Sequence, residues 1–181
     1  MIDFQQLTPS DKLILKKIKK IYENSFPPDE RRLFKKVVSL LNDTRFSLFA
    51  IIFENEVVGM LSSWDFTSFV YIEHFAISEE YRNNGLGSYL LKKLTQKENR
   101  QIVLEVELPE DTFSLKRIKF YERFGFSICH ELYTQPPYEK NKVSLPMLIM
   151  AKHAIVSLHE FQNIKKTLHQ EVYGFFSGVD Y

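Results

Sequence analysis

The residues best suited to chemistry are Arg82, Gly85 and Gly87, in the run Arg82-Asn83-Asn84-Gly85-Leu86-Gly87-Ser88 that joins an apolar stretch to an amphipathic one. A helix start leaves its first N–H groups unpaired and carries partial positive charge, so it suits an anion, above all a phosphate. Glycine at 85 and 87 permits positive φ and close backbone approach, where a Cβ would interfere. Arg82 adds a forked cation that keeps its proton. The same residues also fit a plain left-handed loop closing onto a helix. The run lacks the Gly-Lys-Ser/Thr ending of a P-loop and the G-x-G-x-x-G of a dinucleotide site.

The elements that must position this run follow from hydrophobic period and turn residues. Phe69 to Ile77 predicts the strand leading into it, and Ser88 to Gln96 the helix leaving it, burying Leu90, Leu91 and Leu94. Upstream, Ile2 to Leu7 predicts a short strand. Capping residues Thr8 to Asp11 then open a helix with Ile14, Leu15, Ile18, Ile21 and Tyr22 on one face. Phe26-Pro27-Pro28 breaks it, and a second helix is expected from Asp29, with Leu33, Phe34, Val37, Val38 and Leu41 as its stripe. Phe46 to Phe53 and Val57 to Phe66 predict a hairpin, weakened by Gly59 and Ser62-Ser63.

Downstream, Gln101 to Glu107 predicts a strand, Ser114 to Phe124 a helix stopped by Gly125, and Phe126 to Tyr133 a strand. Ser144 to Ala151 alternates as a strand, in which Pro146 implies an edge or a bulge. From Ala154 a last amphipathic helix carries Ile155, Leu158, Phe161, Leu168 and Val172. Strands and helices mixed in this way predict one α/β sheet with helices on both faces. The domain is expected over residues 1–152, with 153–181 a C-terminal helix and tail packed on it or on a partner.

Composition narrows the function classes. The chain has 181 residues, 44% apolar and 26% charged, as in an ordinary soluble globular domain. A net charge of +1 gives no nucleic-acid footprint. The basic run Lys16 to Lys20 reads as a solvated helix face. One cysteine, Cys129, excludes an intramolecular disulfide and fits a reducing compartment. No signal-like start or bilayer-length apolar run appears, so a cytoplasmic location without membrane attachment is expected. His159 and His169 have no partners at ligand spacing, and no metal site is expected. G-x-S-x-G is absent, which leaves a serine hydrolase unsupported.

Arg82-Asn83-Asn84-Gly85-Leu86-Gly87 after a strand resembles the acyl-CoA pyrophosphate loop, R/Q-x-x-G-x-G/A, of the GCN5-related N-acetyltransferase (GNAT) family. Phe120-Tyr121-Glu122-Arg123-Phe124-Gly125-Phe126 is similar to that family's F/L-Y-E-x-x-G-F segment. The order of elements from about Asp11 to Ala151 matches as well. The resemblance implies a single domain with a mixed, mostly antiparallel sheet, helices on both faces, and a splayed strand pair that holds acetyl-CoA. It implies cofactor contacts from the backbone of Phe75, Ala76 and Ile77, and from Arg82, Asn83, Asn84, Gly85, Leu86, Gly87 and Ser88. The implied activity is direct transfer of acetyl from acetyl-CoA to a primary amine of a small molecule or peptide. The alternative is a non-catalytic acyl-CoA-binding module. Acceptor identity and the choice between monomer and homodimer stay open.

By position Tyr121 matches the family tyrosine that often protonates the leaving thiolate. For the base the chain offers Glu73, ranked first, Glu105 second, and also His74 and Glu107. Carboxylates within strands covered on both faces violate the local pattern, as functional residues tend to do. Strand parity puts Glu73 on the face of Tyr71 and Phe75, with His74 opposite. The competing reading for either carboxylate is a buried ion pair with Arg117 or His74. Two departures stand out: Ser114 where many members carry asparagine, and Arg117 where a small residue is common. Phe26, Trp64 and the stiff aromatic run Tyr133 to Tyr138 either line an acceptor pocket or simply pack.

Overall fold

The computed structural model describes residues 2–155 and 157–175. Its strands are β1 (Ile2–Gln6), β2 (Phe46–Phe53), β3 (Glu56–Asp65), β4 (Phe69–Ile77), β5 (Gln101–Glu107), β6 (Phe126–Gln135) and β7 (Leu145–Lys152). The helices are α1 (Lys12–Ser25), α2 (Phe34–Leu40), α3 (Leu86–Lys97), α4 (Thr112–Glu122) and α5 (Leu158–Thr167), the last continued by a π-helical turn, Leu168–Val172. The strands form one mixed sheet in the order β1-β2-β3-β4-β5-β7-β6. The chain condenses into two compact units that divide inside β5, one up to Val103 and one from Leu104 on. The division expected at 152/153 therefore falls inside the second unit.

In the first unit β1 to β4 make an antiparallel meander. Leu15, Ile18, Ile21 and Tyr22 of α1 are buried, as their helical spacing requires. Leu86 and Leu90 of α3 pack with Ile51 and Val58, and Phe75 joins that cluster. The Tyr22 ring lies 4.9 Å from the ring of His74. Because Phe75 follows His74 and successive strand residues face opposite ways, α1 and α3 cover opposite faces of this meander.

The second helix corrects the expectation. Pro28–Glu30 forms only a 3-10 turn, Arg31 is extended (φ −147°, ψ 154°), and α2 begins at Phe34. Tyr22 Oη accepts from the Arg32 backbone at 2.9 Å, which holds this connection against α1 in place of a continuous helix.

In the second unit β6 and β7 pair antiparallel, with an irregularity between Cys129 and Tyr133. β7 lies between β5 and β6 in the sheet, so Pro146 does not mark an edge. It occupies the second position of its strand, opposite Thr134. The last helix starts later than expected, at Leu158, because Ser157 caps it by accepting from the Glu160 amide. Phe161, Ile164, Leu168 and Val172 are buried, and Leu158 is exposed.

Candidate active site

The loop after β4 ends at a helix start that no side chain caps. Glu79–Tyr81 forms a 3-10 turn, after which Asn83 (φ 65°) and Gly85 (φ 75°) take left-handed conformations. Gly85 is the N-cap of α3 and supplies no side-chain cap, so the N–H groups of the first turn face outward from an uncapped helix start. A Cβ at Gly85 would meet nothing within 4 Å, so the backbone conformation, not space, demands glycine here. Gly87 stands inside α3, and the positive φ expected there falls on Asn83 instead. Leu86 is buried in the core cluster, which leaves only its backbone toward the loop.

Arg82 is exposed, and its Nε donates to the Ile77 carbonyl at 2.9 Å, tying the guanidinium to the end of β4. A cleft of about 620 Å3 opens beside it, lined by Lys17, Lys20 and Asn24 of α1, Glu56 and Val57 of β3, and Ser78 to Arg82. Lys17 within this cleft pairs with Glu56 at 3.1 Å. Lys16, Lys17, Lys19 and Lys20 are all exposed, as expected of a solvated helix face.

Glu73 is held by a different partner from those expected. Arg32 Nε and Nη2 both donate to its Oε1, at 3.0 and 2.8 Å, and Trp64 Nε1 donates to Oε2 at 2.9 Å. The two charged side chains are 10% and 2% exposed. Burial acts to raise the Glu73 carboxyl, but the Arg32 charge, the influence of His74 and the donors on both oxygens outweigh it and hold the carboxyl below its ordinary value.

His74 packs edge-on against Tyr22 and Phe26, with its Nε2 3.1 Å from the Glu30 carbonyl and its Nδ1 3.3 Å from Ser62 Oγ. Burial keeps it neutral by lowering its pKa. Both side chains thus reach the segment between α1 and α2, contrary to the parity expectation. The cause is a β-bulge: Ser62 pairs with His74 and Ser63 with Ile72, so Glu73 is the extra residue that breaks the alternation. Trp64 is buried beneath this pair and Phe26 is half-buried beside it.

In the second unit Asp111 and Ser114 form a reciprocal capping box at the start of α4. That accounts for Ser114 at the position where asparagine was noted: its side chain serves the helix start. Arg117 pairs with Glu107, whose Oε2 is buried without a hydrogen-bond partner among the described residues. Tyr121 is 8% exposed, and burial, modified by Arg117 and Glu107, pushes its phenol up to about 12. The group therefore carries its proton throughout the neutral range.

Glu105 is the surprise. Tyr133 donates its hydroxyl to Oε1, and Tyr173 donates to Oε2 at 2.6 Å. Tyr138 and Tyr173 have ring centroids 4.9 Å apart, and His169 lies 5.6 Å from Tyr133. Tyr133 and Tyr138 are buried, while Glu105 and Tyr173 are half-buried. Sequence reading singled out Glu105 and the aromatic run separately. It missed Tyr173, which the π-helical turn delivers from 68 positions away.

Among the described residues no group of three or more His, Cys, Asp or Glu could hold a metal, and no helix is long and apolar enough to cross a membrane.

Residues 14–126 match the model of the Acetyltransferase (GNAT) family. A structure from Bacteroides thetaiotaomicron, provisionally named as an acetyltransferase of the GNAT family, superposes with a TM-score of 0.89 at 35% identity, covering 96% of this chain and 99% of that one. YjbC of Bacillus subtilis, provisionally named an acetyltransferase, is 29% identical over 112 residues, which are 60% of this chain and 58% of YjbC, less than two thirds of that relative. Arabidopsis thaliana NAA60, solved in complex with acetyl-CoA, shares the fold, with a TM-score of 0.62 at 18% identity over 83% of this chain and 97% of that one. With a family model spanning most of the chain and a close structural relative across nearly all of it, this protein belongs to the GNAT acetyltransferase family.

Proposed function

We propose that the protein is an acetyl-CoA-dependent N-acetyltransferase that transfers acetyl directly to a primary amine of a small molecule or peptide. The observation that carries this reading is the uncapped start of α3 behind the left-handed Asn83 and Gly85, with Arg82 tied alongside. These residues fit the pyrophosphate of acetyl-CoA: backbone N–H groups and one fixed cation face the space a doubly charged anion would take. The backbone of Phe75, Ala76 and Ile77 on β4 would pair with the pantetheine arm. Bound there, acetyl-CoA supplies a thioester activated for attack by an amine.

The chain's own part is to place the amine and move two protons. In the transfer, nitrogen bonds to the acetyl carbon, the C–S bond breaks, the amine gives up a proton and the thiolate takes one. Tyr121, protonated at neutral pH, is the proposed donor to the thiolate. Glu105 is the proposed acceptor of the amine proton, because its partners are phenol hydroxyls that can exchange protons. Glu73 is favoured less than its sequence rank suggested. Its oxygens are taken by Arg32 and Trp64 and its basicity is depressed, which suits a fixed charge holding the wall of the site.

Calorimetric titration with acetyl-CoA tests the reading. Saturable binding is expected in the wild type and is lost in Arg82→Ala and Gly87→Trp, followed by turnover with an amine panel. Folded wild-type protein that binds no acetyl-CoA would end the enzyme reading.

A further inference from the structure

We infer that Arg117 and Glu107 form a charge pair that governs how readily the Tyr121 hydroxyl releases its proton to the departing thiolate, Arg117 favouring release and Glu107 restraining it. Both are positioning residues, acting through Tyr121 and not on the thioester. The inference rests on the transferase reading, with Tyr121 as its proton donor, and deepens it by naming the groups that control the donor.

Arg117 and Tyr121 lie four positions apart on α4, so they share a helix face one turn apart. Helical side chains lean toward the N-terminus, which brings the Tyr121 ring back over the turn that carries Arg117. The capping box of Asp111 and Ser114 fixes the start of that helix. The rings of Phe120 and Phe126 hold Tyr121 at centroid distances of 5.3 and 5.6 Å. Glu107, the last residue of β5, reaches the same turn and accepts from Arg117 Nη1.

The pair is not closed as a purely stabilising ion pair would be. A guanidinium can offer two parallel donors to the two oxygens of a carboxylate. Arg117 gives only Nη1, to Oε1, while Oε2 is buried with no hydrogen-bond partner among the described residues. A buried oxygen left unpaired is costly, and such groups call for a functional account. The unpaired oxygen keeps its negative potential, and the buried Tyr121 phenol lies within its influence.

The proton transfer needs such a pair. When the C–S bond breaks, sulfur keeps the electron pair. The Tyr121 O–H bond then breaks, an S–H bond forms, and a phenolate remains until it takes a proton back from solvent. A simple thiol titrates at about 8.5 and the Tyr121 phenol is pushed up to about 12, so the proton would stay on oxygen by a factor of about 10³ or more unless the phenolate is supported. Burial raises the phenol most, Arg117 draws it down, and Glu107 pushes it up again. Arg117 stands on the helix of Tyr121 itself and Glu107 on β5, while β6 packs against the ring with the apolar Phe126. Arg117 is thus the support for the phenolate, and Glu107 keeps the proton in place until the thiolate forms.

The test uses the full chain and reads Tyr121 by its phenolate absorbance in the ultraviolet, taken as the difference from Tyr121→Phe. At pH 11 about a tenth of Tyr121 should be phenolate in the wild type, its phenol being pushed up to about 12. Glu107→Gln removes the restraining charge and should bring that fraction to about half or more, roughly a tenfold shift in the equilibrium. Arg117→Gln should bring it below the wild-type value and lower kcat by about tenfold or more, with the acetyl-CoA KM changed less. Arg117→Lys, which restores the charge, should recover most of kcat. Arg117 is exposed, so its variants keep the core intact, and they decide the matter should Glu107→Gln not fold. A phenolate fraction unchanged in every folded variant would overturn the inference, as would Arg117→Lys as slow as Arg117→Gln. Absence of acetyl-CoA turnover in the wild type is a separate result: it overturns the transferase reading, while the absorbance titration still reads the hold of this pair on Tyr121.

Discussion

Arg32 places two nitrogens on one oxygen of Glu73, and Trp64 takes the other, so a carboxylate 2% exposed is fully engaged by side chains. Such a pair contributes little net stability as a pair but is costly to break, because the survivor is a buried charge without its partner. Arg32→Met should therefore destabilise by about 3–5 kcal/mol in urea unfolding. The double variant Arg32→Met/Glu73→Gln should recover a large part of that loss. A single variant no less stable than the double would show that the two charges are not coupled.

Acid stability should fall in two stages. His74 is buried and neutral with a lowered pKa, so the unfolded chain takes up its proton first. Its contribution is present above the unfolded value of about 6.5 and is lost as pH falls below it. Glu73 is depressed below the ordinary carboxylate value, so its contribution is present above that value and is lost as pH falls through the folded pKa. His74→Phe should flatten the profile as pH falls below about 6.5, and Glu73→Gln should flatten it below about pH 4.5. Urea midpoints measured across pH for both variants check the order. Identical slopes in wild type and variants would refute the assignment.

The residues that were legible in the sequence were those whose roles are local. The α1 face, the helix stop at Gly125 and the loop at Arg82 to Gly87 each follow from neighbours within a turn or two. The bulge at Glu73 was not legible, because it arises from how β4 pairs with β3 and no residue type announces it. Arg32 was hidden for a related reason. The expected helix from Asp29 would have carried it away on a polar face, whereas the extended backbone at Arg31 turns it onto Glu73. Tyr173 meeting Glu105 is a contact across 68 positions, beyond any periodicity.

Tyr121 offers a kinetic test. Tyr121→Phe removes only the hydroxyl and should lower kcat by about 10²–10⁴-fold, the usual range for a lost general acid, with acetyl-CoA affinity unchanged. Because its phenol is pushed up to about 12, the wild-type rate should show no basic limb from this group below about pH 11. A variant with undiminished kcat would assign the thiolate's proton to another donor.

Gly59 lies against the end of β4, the strand proposed to pair with the cofactor. It pairs with Ile51 on β2 and with Ile77 on β4, and a Cβ there would lie 2.6 Å from the Ala76 carbonyl oxygen and 2.8 Å from Ile77 Cδ1. The first neighbour is backbone and cannot swing aside, so Gly59→Ala must push β3 and β4 apart at the end of β4. Overpacking of this kind costs about 1–3 kcal/mol. The displaced residues are Ala76 and Ile77, whose backbone is proposed to pair with pantetheine, and the Ile77 carbonyl also anchors Arg82. Gly59→Ala should therefore lose stability in urea and acetyl-CoA affinity in calorimetry together. Lost stability with undiminished affinity would mean that the strand end relaxes without moving the loop, and would argue against the proposed role of the β4 backbone.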